Sequence, residues 1–371
     1  MGLRTHALDD PPARAALARG TLHFPSLDGL RTVSFLLVFL GHSGLQHVVP
    51  GGFGVTTFFF LSGFLITSLM RVEEEKTGTV SLKHFYLRRV FRILPPFYLV
   101  LTVATTLALL GVVPTNGPLE WKPLLALASH VGNFWFVAHG SDGVPAGTPV
   151  YWSLAVEEHF YLLFPLLYLL TRRLGLRGRR QALLFLSICA CILVWRCVLV
   201  LGAGVPEDRT YLASDTRFDS ILFGCALAVG LNPLVDHLVG SEGLWKRVLF
   251  PAGITLLLFT FVYRAGWFRE SIRYTLQGIA LSPVFVSAMR FPGWGPFRLL
   301  NQRHVVFFGG LTYSLYLIHH VVLYTVGHHF PSWHPVLISL VALAISFAAS
   351  LAVYRFVESP FARLRKRLSM A

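Results

Sequence analysis

Apolar stretches long enough to cross a lipid bilayer recur along most of this chain, from about Leu30 to Val353. A helix needs ~20 residues to cross ~30 Å of hydrocarbon, and stretches of that length alternate here with short turn-rich or basic segments. The apolar stretches lie at about 30–48, 53–70, 94–112, 151–170, 182–202, 216–232, 248–264, 271–289, 305–326 and 334–353. The sequence therefore predicts an all-α, polytopic membrane helix bundle of about ten transmembrane helices.

The composition agrees with a chain that lipid solvates. Of 371 residues, 54% are hydrophobic and 13% are charged, against roughly 45–50% and 25% in an ordinary soluble protein. The formal net charge is +14, but the basic residues cluster at the ends of apolar stretches, as is typical of membrane proteins. We therefore expect the lipid bilayer as a partner and no nucleic acid.

The loops alternate in charge, which predicts an orientation. Loops 71–93 and 171–181 are rich in arginine and lysine, whereas Lys122 is the one arginine or lysine in loop 113–150. Because cytosolic loops hold the excess of basic residues, we expect both termini of this multi-pass protein in the cytosol.

Ionisable groups inside hydrocarbon are costly, so those found there are candidates for function. The first apolar stretch contains Arg31 and, eleven residues later, His42. Eleven residues at 100° each return to within about 20° of the starting face, and the rise is roughly 16 Å. One face thus presents a cation at the inner mouth and an imidazole about halfway across, which suits a long anionic donor such as coenzyme A. The alternatives are a membrane anchor for Arg31 and a structural hydrogen-bonding role for His42.

The fourth apolar stretch begins with a polar stripe, because Ser153, Glu157 and Tyr161 are spaced four apart and share a helix face. By helical rise Glu157 lies roughly 7–9 Å below the outer surface, and His42 is expected at a comparable depth. A carboxylate beside an imidazole orients it and raises its basicity, which suits a general base that deprotonates a hydroxyl. The alternative is a structural ion pair, for example of Glu157 or Asp219 with Arg196.

Several sequence blocks resemble the integral membrane acyltransferase-3 family, the bacterial glycan O-acetylase group. They are Leu27–Arg31 followed by His42, Gly54–Val55 with Phe58–Thr67, Arg88–Pro95, Trp152–Tyr161, Tyr313–His319 and Tyr354–Glu358. The resemblance implies an acyl-CoA donor used from the cytosolic side, an acceptor on the outer side, and Arg31 with His42 as the paired essential residues. Two positions depart from it: Thr56 stands where many members have aspartate, and His159 where glutamine is common.

The sequence and the resemblance together predict an O-acyltransferase. It would move an acetyl or short acyl group from acetyl-CoA or another acyl-CoA to a hydroxyl of a carbohydrate or related acceptor. We predict His42 and Glu157 as catalytic residues, Arg31, Arg88, Arg89 and Arg92 as donor-binding residues, Trp152, Ser153, Asp219, Tyr316 and His319 as acceptor-binding residues, and no metal. Direct transfer and a covalent acyl-histidine are both compatible with these residues.

The remaining predictions concern organisation and the rival function. The expected parts are a disordered cytosolic leader at 1–26, a membrane acyltransferase domain at 27–358 and a basic cytosolic tail at 359–371, in a bacterial inner membrane. A secondary transporter or proton relay is the alternative, since it also places histidine and glutamate at mid-membrane. The acceptor, the acyl length and the oligomeric state stay open at this stage.

Overall fold

The computed structural model describes residues 25–237 and 239–368, and their fold is helical. Residues 1–24, most of the expected leader, and residues 369–371 of the expected tail lie outside the described residues. The helices of eight or more residues are α1 (Pro25–Leu40), α2 (Gly51–Thr77), α3 (Leu82–Leu109), α4 (Trp121–Ala128), α5 (Gly132–His139), α6 (Trp152–Arg173), α7 (Arg179–Cys197), α8 (Ser214–Gly230), α9 (Phe250–Val262), α10 (Arg273–Arg290), α11 (Arg303–Gly310), α12 (Thr312–His329), α13 (Pro335–Val353) and α14 (Ser359–Leu368).

Shorter helical turns extend or connect these helices. They are Gly41–Leu45, Thr148–Tyr151, Val198–Gly202, Glu207–Tyr211, Glu242–Leu244, Trp245–Leu249, Gly266–Glu270, Phe297–Leu300 and Tyr354–Glu358. No strand forms within 25–237 and 239–368. The predicted all-α class is therefore confirmed.

Among the residues that the structure describes, six helices are long and apolar enough to cross a membrane: Gly51–Thr77, Leu82–Leu109, Thr148–Arg173, Arg179–Gly202, Glu242–Val262 and Pro335–Arg365. A seventh span results if α11 and α12, which meet at an angle of 71°, are taken together. The multi-pass membrane bundle is thus confirmed, but the count of about ten is not. The helix α8 has only 17 residues, fewer than the ~20 that a lipid-facing span needs.

The centre of the bundle is the contact between α2 and α8. A Cβ atom added to Gly63 would lie 2.0 Å from the carbonyl oxygen of Ile221, and one added to Gly224 would lie 2.0 Å from that of Phe60. Small residues allow this backbone approach, which is how helices gain packing energy in lipid. Since nearly every residue of α8 is buried, protein rather than lipid surrounds it, so it needs neither full span length nor a continuous apolar surface.

Ion pairs gather several helix ends at one end of the bundle, which we call the basic end. Arg71 near the end of α2 pairs with Asp236 after α8, with 2.9 Å between Nη2 and Oδ1. Arg172 at the end of α6 pairs with Glu74, at 2.7 Å between Nη2 and Oε1. The start of α1 lies here too, because Gly29 packs on the backbone of Leu300.

The other end of the bundle, the opposite end, carries the loops 46–50 and 110–147. Here Gly147, with φ +86°, packs so closely on α12 that a Cβ would lie 2.5 Å from the carbonyl carbon of His320. The first helix ends here as well, and its last turn, Gly41–Leu45, is a π-helical turn interrupted by Gly44 at φ +85°. The turn that contains His42 is therefore not a regular continuation of α1.

We expect Gly63→Ala to lower the melting temperature of the detergent-solubilised protein, because the added methyl group overlaps the Ile221 carbonyl and such overpacking costs about 1–3 kcal/mol. Gly327→Ala is the matched control, since apart from the local backbone of α12 no atom of the described residues lies within 4 Å of a Cβ added there. Equal melting temperatures for the two variants would contradict the close α2–α8 contact.

Candidate functional site

A cavity of about 110 Å³ lies inside the bundle among α1, α2, α3, α6 and α12. Its polar lining residues are Arg31, Ser62, Arg89, Arg92, Ser153, Glu157, Tyr161, Thr312, Tyr313 and Tyr316. The volume has room for several water molecules. With three guanidinium groups and one carboxylate in the lining, the cavity has an excess of positive charge and favours an anionic ligand.

The predicted polar stripe of α6 faces this cavity. Ser153, Glu157 and Tyr161 all line it, as their four-residue spacing implied. Tyr161 is hydrogen-bonded to Ser62 of α2, and Glu157 lines the cavity beside both. The α6 stripe and α2 thus form one hydrogen-bonded wall around the carboxylate.

Three of the four predicted donor-binding arginines line the cavity. Arg31 pairs with Asp28 one turn earlier on α1, and Arg89 lies with its Cζ 5.3 Å from the ring centroid of Tyr161. Arg88 points elsewhere: its Nη2 lies 2.5 Å from Oε2 of Glu73, and it is not a lining residue. The structure therefore groups Arg31, Arg89 and Arg92 and leaves Arg88 in an ion pair at the basic end.

Arg92 also reaches a second cleft, of about 170 Å³, beside the last helices. That cleft is lined by Phe91, Arg92, Tyr354, Glu358, Ser359, Ala362 and Arg365. Because Arg92 borders both spaces, the cleft and the cavity adjoin each other. A second arginine, Arg365, stands at the cleft and was not among the sequence-predicted residues.

His42 does not line the cavity but belongs to a cluster of imidazoles. Its Nδ1 lies 3.1 Å from Nε2 of His319, and its ring stacks on that of His320 with 4.1 Å between centroids. The side chain of His42 is exposed at the surface of the bundle, whereas His319 is fully buried. This cluster was not predicted as such, although His319 and His320 are adjacent in the sequence.

The hydrogen bonds of His319 set the tautomers of both rings. Nδ1 of His319 lies 2.8 Å from the carbonyl oxygen of Tyr316 and 3.1 Å from that of Leu315. Because carbonyl oxygens only accept, this nitrogen carries the proton, and Nε2 of neutral His319 is an acceptor. Nδ1 of His42 must then donate to it, which leaves the lone pair of His42 on Nε2.

The hypothesis that Glu157 orients His42 is wrong, because the two side chains do not contact each other. Glu157 shares the cavity with Arg31, while the ring contacts of His42 within the described residues are His319 and His320. The error came from assigning both residues one depth by helical rise. His42 lies in the irregular last turn at the opposite end, so His319 takes the place that was expected for the carboxylate.

Tyr316 connects the cavity with the imidazoles. Its hydroxyl lies 2.6 Å from Oγ of Ser153 and 3.0 Å from the carbonyl oxygen of Val150. Its ring lines the cavity, and its centroid lies 5.6 Å from that of His319. Ser153, Tyr316 and His319 are therefore brought together, and Tyr316 closes the cavity toward the histidines.

Three of the predicted acceptor-binding residues, His319, Trp152 and Asp219, lie outside the cavity lining. Trp152 packs against Phe59 and Tyr211, with ring centroids 6.1 Å and 4.8 Å away. Asp219 is fully buried and pairs with Arg196, which is also fully buried, at 2.7 Å between Oδ2 and Nη2. The structural ion pair, the alternative considered for Asp219, is the arrangement observed.

The positions that depart from the family pattern also have polar partners. Thr56 accepts a hydrogen bond from Arg217 at 3.1 Å, and Nδ1 of His159 lies 2.7 Å from Oγ of Ser214. His130 lies in the turn between α4 and α5, where its backbone has φ +56°. Burial lowers the pKa of its imidazole to about 4. In the part of the chain that the structure describes, no group of three or more His, Cys, Asp or Glu side chains could hold a metal ion.

Fold and site together define a multi-pass helical membrane protein with a buried, arginine-lined cavity. The chain belongs to the acyltransferase-3 family: the family model described as an acyltransferase domain matches residues 24–355. The resemblance seen in the sequence blocks is thereby confirmed, and the chain is an acyltransferase-family enzyme.

Curated relatives share the sequence over most of this chain. This chain is 27% identical over 360 residues to the peptidoglycan O-acetyltransferase OatA of Listeria monocytogenes. The matched region covers 91% of this chain and 56% of that protein. The chain is 28% identical over 354 residues to the O-acetyltransferase OatA of Staphylococcus aureus, covering 91% and 57%. The chain thus spans little more than half the length of these relatives. No solved structure matches it.

We expect Asp219→Ala to lower the melting temperature strongly, because it leaves the Arg196 guanidinium buried without its carboxylate, a loss of about 3–5 kcal/mol. The double variant Arg196→Met, Asp219→Leu should recover most of that loss, since it removes both charges. Thermal unfolding of the three proteins in detergent measures this. A double variant no more stable than Asp219→Ala would show that the pair is not the main role of Asp219.

Proposed function

We propose that this chain is a membrane O-acyltransferase that moves an acetyl or short acyl group from acyl-CoA to a hydroxyl of a glycan or related acceptor. Family membership supports acyl transfer, and the names of the relatives support O-acetyl transfer and a cell-wall glycan as the acceptor class. Residues 27–358 constitute the acyltransferase domain of this proposal, with 1–26 as a leader and 359–371 as a basic tail.

The donor binds from the basic end. By the positive-inside rule this end faces the cytosol of a bacterial inner membrane, with both termini on that side. The phosphates of acyl-CoA lie between the cleft of Arg92 and Arg365 and the cavity of Arg31 and Arg89, since arginine is well suited to phosphate. What supports this placement is that Arg92 borders both spaces, so that one long anionic ligand can occupy them together.

His42 is the general base, and the observation that carries this role is its bond to His319. A base needs a lone pair that points away from its supporting partner, and the tautomer set by Tyr316 and Leu315 leaves that lone pair on Nε2 of exposed His42. His319 is a positioning residue: it holds the ring and the tautomer without touching the substrate.

The chemistry follows from that lone pair. Nε2 of His42 removes the proton of the acceptor hydroxyl while the oxygen forms a bond to the thioester carbonyl carbon. The carbon–sulfur bond then breaks, and the coenzyme A sulfur takes the proton from the His42 imidazolium. Direct transfer between the two bound substrates needs no covalent enzyme intermediate.

Tyr316 separates the donor cavity from His42. Its ring stands between them, held through its hydroxyl by Ser153 and the Val150 carbonyl. The acyl end of a donor bound at the arginines reaches His42 once this ring swings aside. Side-chain rotation of this kind gates access to many buried reaction sites.

Purified protein incubated with labelled acetyl-CoA and a soluble glycan should form labelled ester, and His42→Ala should abolish it. His319→Leu should lower kcat by roughly 10²-fold if it removes most of the general-base contribution. The KM for the acceptor should change little. His319→Gln keeps an acceptor near the former Nε2 and should recover part of the rate.

His328→Leu is the matched control for the histidine series, because that imidazole is exposed two turns further along α12. A fully active His42→Ala variant would overturn the proposed chemistry. Equal rates for His319→Leu and His319→Gln would show instead that His319 acts only through packing.

For the donor, we expect Arg89→Gln and Arg92→Gln to raise the KM for acetyl-CoA by on the order of tenfold or more, since each removes a charge-assisted contact to phosphate. Arg88→Gln should have a smaller effect, because Arg88 pairs with Glu73 outside the cavity. Steady-state kinetics at varied acetyl-CoA concentration measures all three. An Arg88→Gln effect as large as the other two would contradict this placement of the donor.

A further inference from the structure

Arg217 of α8 is a fully buried guanidinium that forms no ion pair with a carboxylate of the described residues. The side chain has 0% exposure, and within residues 25–237 and 239–368 no Asp or Glu oxygen forms an ion pair with it. Its Nη2 donates to Thr56, while Nε and Nη1 are buried without a hydrogen-bond partner in the part of the chain that the structure describes. An unpaired buried charge is among the costliest features a fold can contain.

Aromatic rings surround this guanidinium without satisfying its remaining donors. Its Cζ lies 3.9 Å from the ring centroid of Tyr274, 5.5 Å from Tyr211, 5.6 Å from Phe59 and 5.9 Å from Trp152. Ring faces attract the cation. They do not accept the N–H groups of Nε and Nη1 in the way an oxygen ligand does, so the enclosure stabilises the charge while leaving two donor nitrogens open.

The neighbouring charges do not neutralise Arg217. The nearest acid along α8, Asp219, directs Oδ2 to Arg196 and Thr275, so one carboxylate already faces one arginine. Among Arg196, Arg217 and Asp219, Arg217 is then the positive charge that no negative charge balances. A ligand with a single negative charge balances it, whereas a doubly charged phosphate monoester would leave an excess of negative charge.

The position of the enclosure connects it with the proposed acceptor side. Phe59 also lines the donor cavity, so Arg217 lies one ring behind the cavity wall. Tyr211 is only partly buried and ends the short helix Glu207–Tyr211 at the opposite end. A ligand from that end therefore meets Tyr211 first and the guanidinium behind it.

We infer that Arg217 binds a single negative charge of the acceptor, a carboxylate of an acidic sugar, in the enclosure of Phe59, Trp152, Tyr211 and Tyr274; this rests on the acyl-transfer function proposed above. The carboxylate accepts the hydrogen bonds that Nε and Nη1 lack. Arg217 thus selects acidic over neutral acceptors and takes no part in the bond-making step.

The test uses methyl glucuronoside and its C6 carboxamide, which share every hydroxyl and differ in charge. With the wild type, the acid should raise the melting temperature more than the amide does, and its KM in the transfer assay should be lower by on the order of tenfold. Arg217→Met, which removes the charge, should lose both differences.

Thr56→Asp is the second variant, and it removes nothing from the aromatic enclosure. It places an internal carboxylate next to Nη2 of Arg217, so it should raise the melting temperature of the free protein and abolish the preference for the acid. Arg209→Met is the matched control: Arg209 lies at the same end but is paired with Asp215, and its removal should leave the preference intact.

Two readouts separate this proposal from the function on which it rests. Stabilisation by the acid that depends on Arg217, without any ester formed, would support the site and count against acyl transfer. Ester formation with equal KM for acid and amide, in the wild type and in Arg217→Met alike, would support acyl transfer and overturn the site. Equal stabilisation by both probes would likewise overturn the site, because it would show that the enclosure does not bind the charged group.

Discussion

A charge within the bilayer is costly unless other groups of the protein stabilise it, and the arrangement of α7, α8 and α10 around Arg196 meets that requirement. Arg196 of α7 reaches Asp219 of α8 and the carbonyl oxygens of Ser271 and Thr216. A buried pair of this kind adds little net stability, but losing one partner is costly. It therefore acts chiefly to exclude other registers of α7, α8 and α10.

The same requirement explains why the polar helices occupy the middle of the bundle. The helix α8 is short and carries Arg217 and Asp219, yet glycines at Gly63 and Gly224 bring its backbone against α2 and surround it with protein. Apolar helices such as α7 and α13 then face the lipid, which is where their long hydrophobic stretches are needed. The outer helices thus shield the polar ones.

The parts predictable from sequence are those that depend on local periodicity. Helix positions follow from apolar runs, and the Ser153–Glu157–Tyr161 stripe and the grouping of Arg31 with Arg89 and Arg92 follow from spacing and charge. The contact of His42 with His319 does not follow from local periodicity, because it depends on the depth at which the end of α1 meets α12. The π-helical turn at Gly41–Leu45 and the bend of 71° before Thr312 set that depth, and neither has a distinct sequence signal. The count of about ten spans is not confirmed for a related reason: α8 is short and enclosed by protein, so an apolar stretch in the sequence does not by itself establish a full span.

The separation of the arginine-lined cavity from His42 has a chemical consequence for the proposed reaction. A thioester is hydrolysed when a base and water reach it together, so an enzyme that holds acyl-CoA gains from keeping the two apart until the acceptor is bound. In this structure Tyr316, anchored by Ser153 and the Val150 carbonyl, closes the cavity toward the exposed imidazole. Trp152, which faces Arg217, precedes Ser153, which anchors Tyr316, so one turn of α6 contacts both the Arg217 enclosure and the residue that closes the cavity.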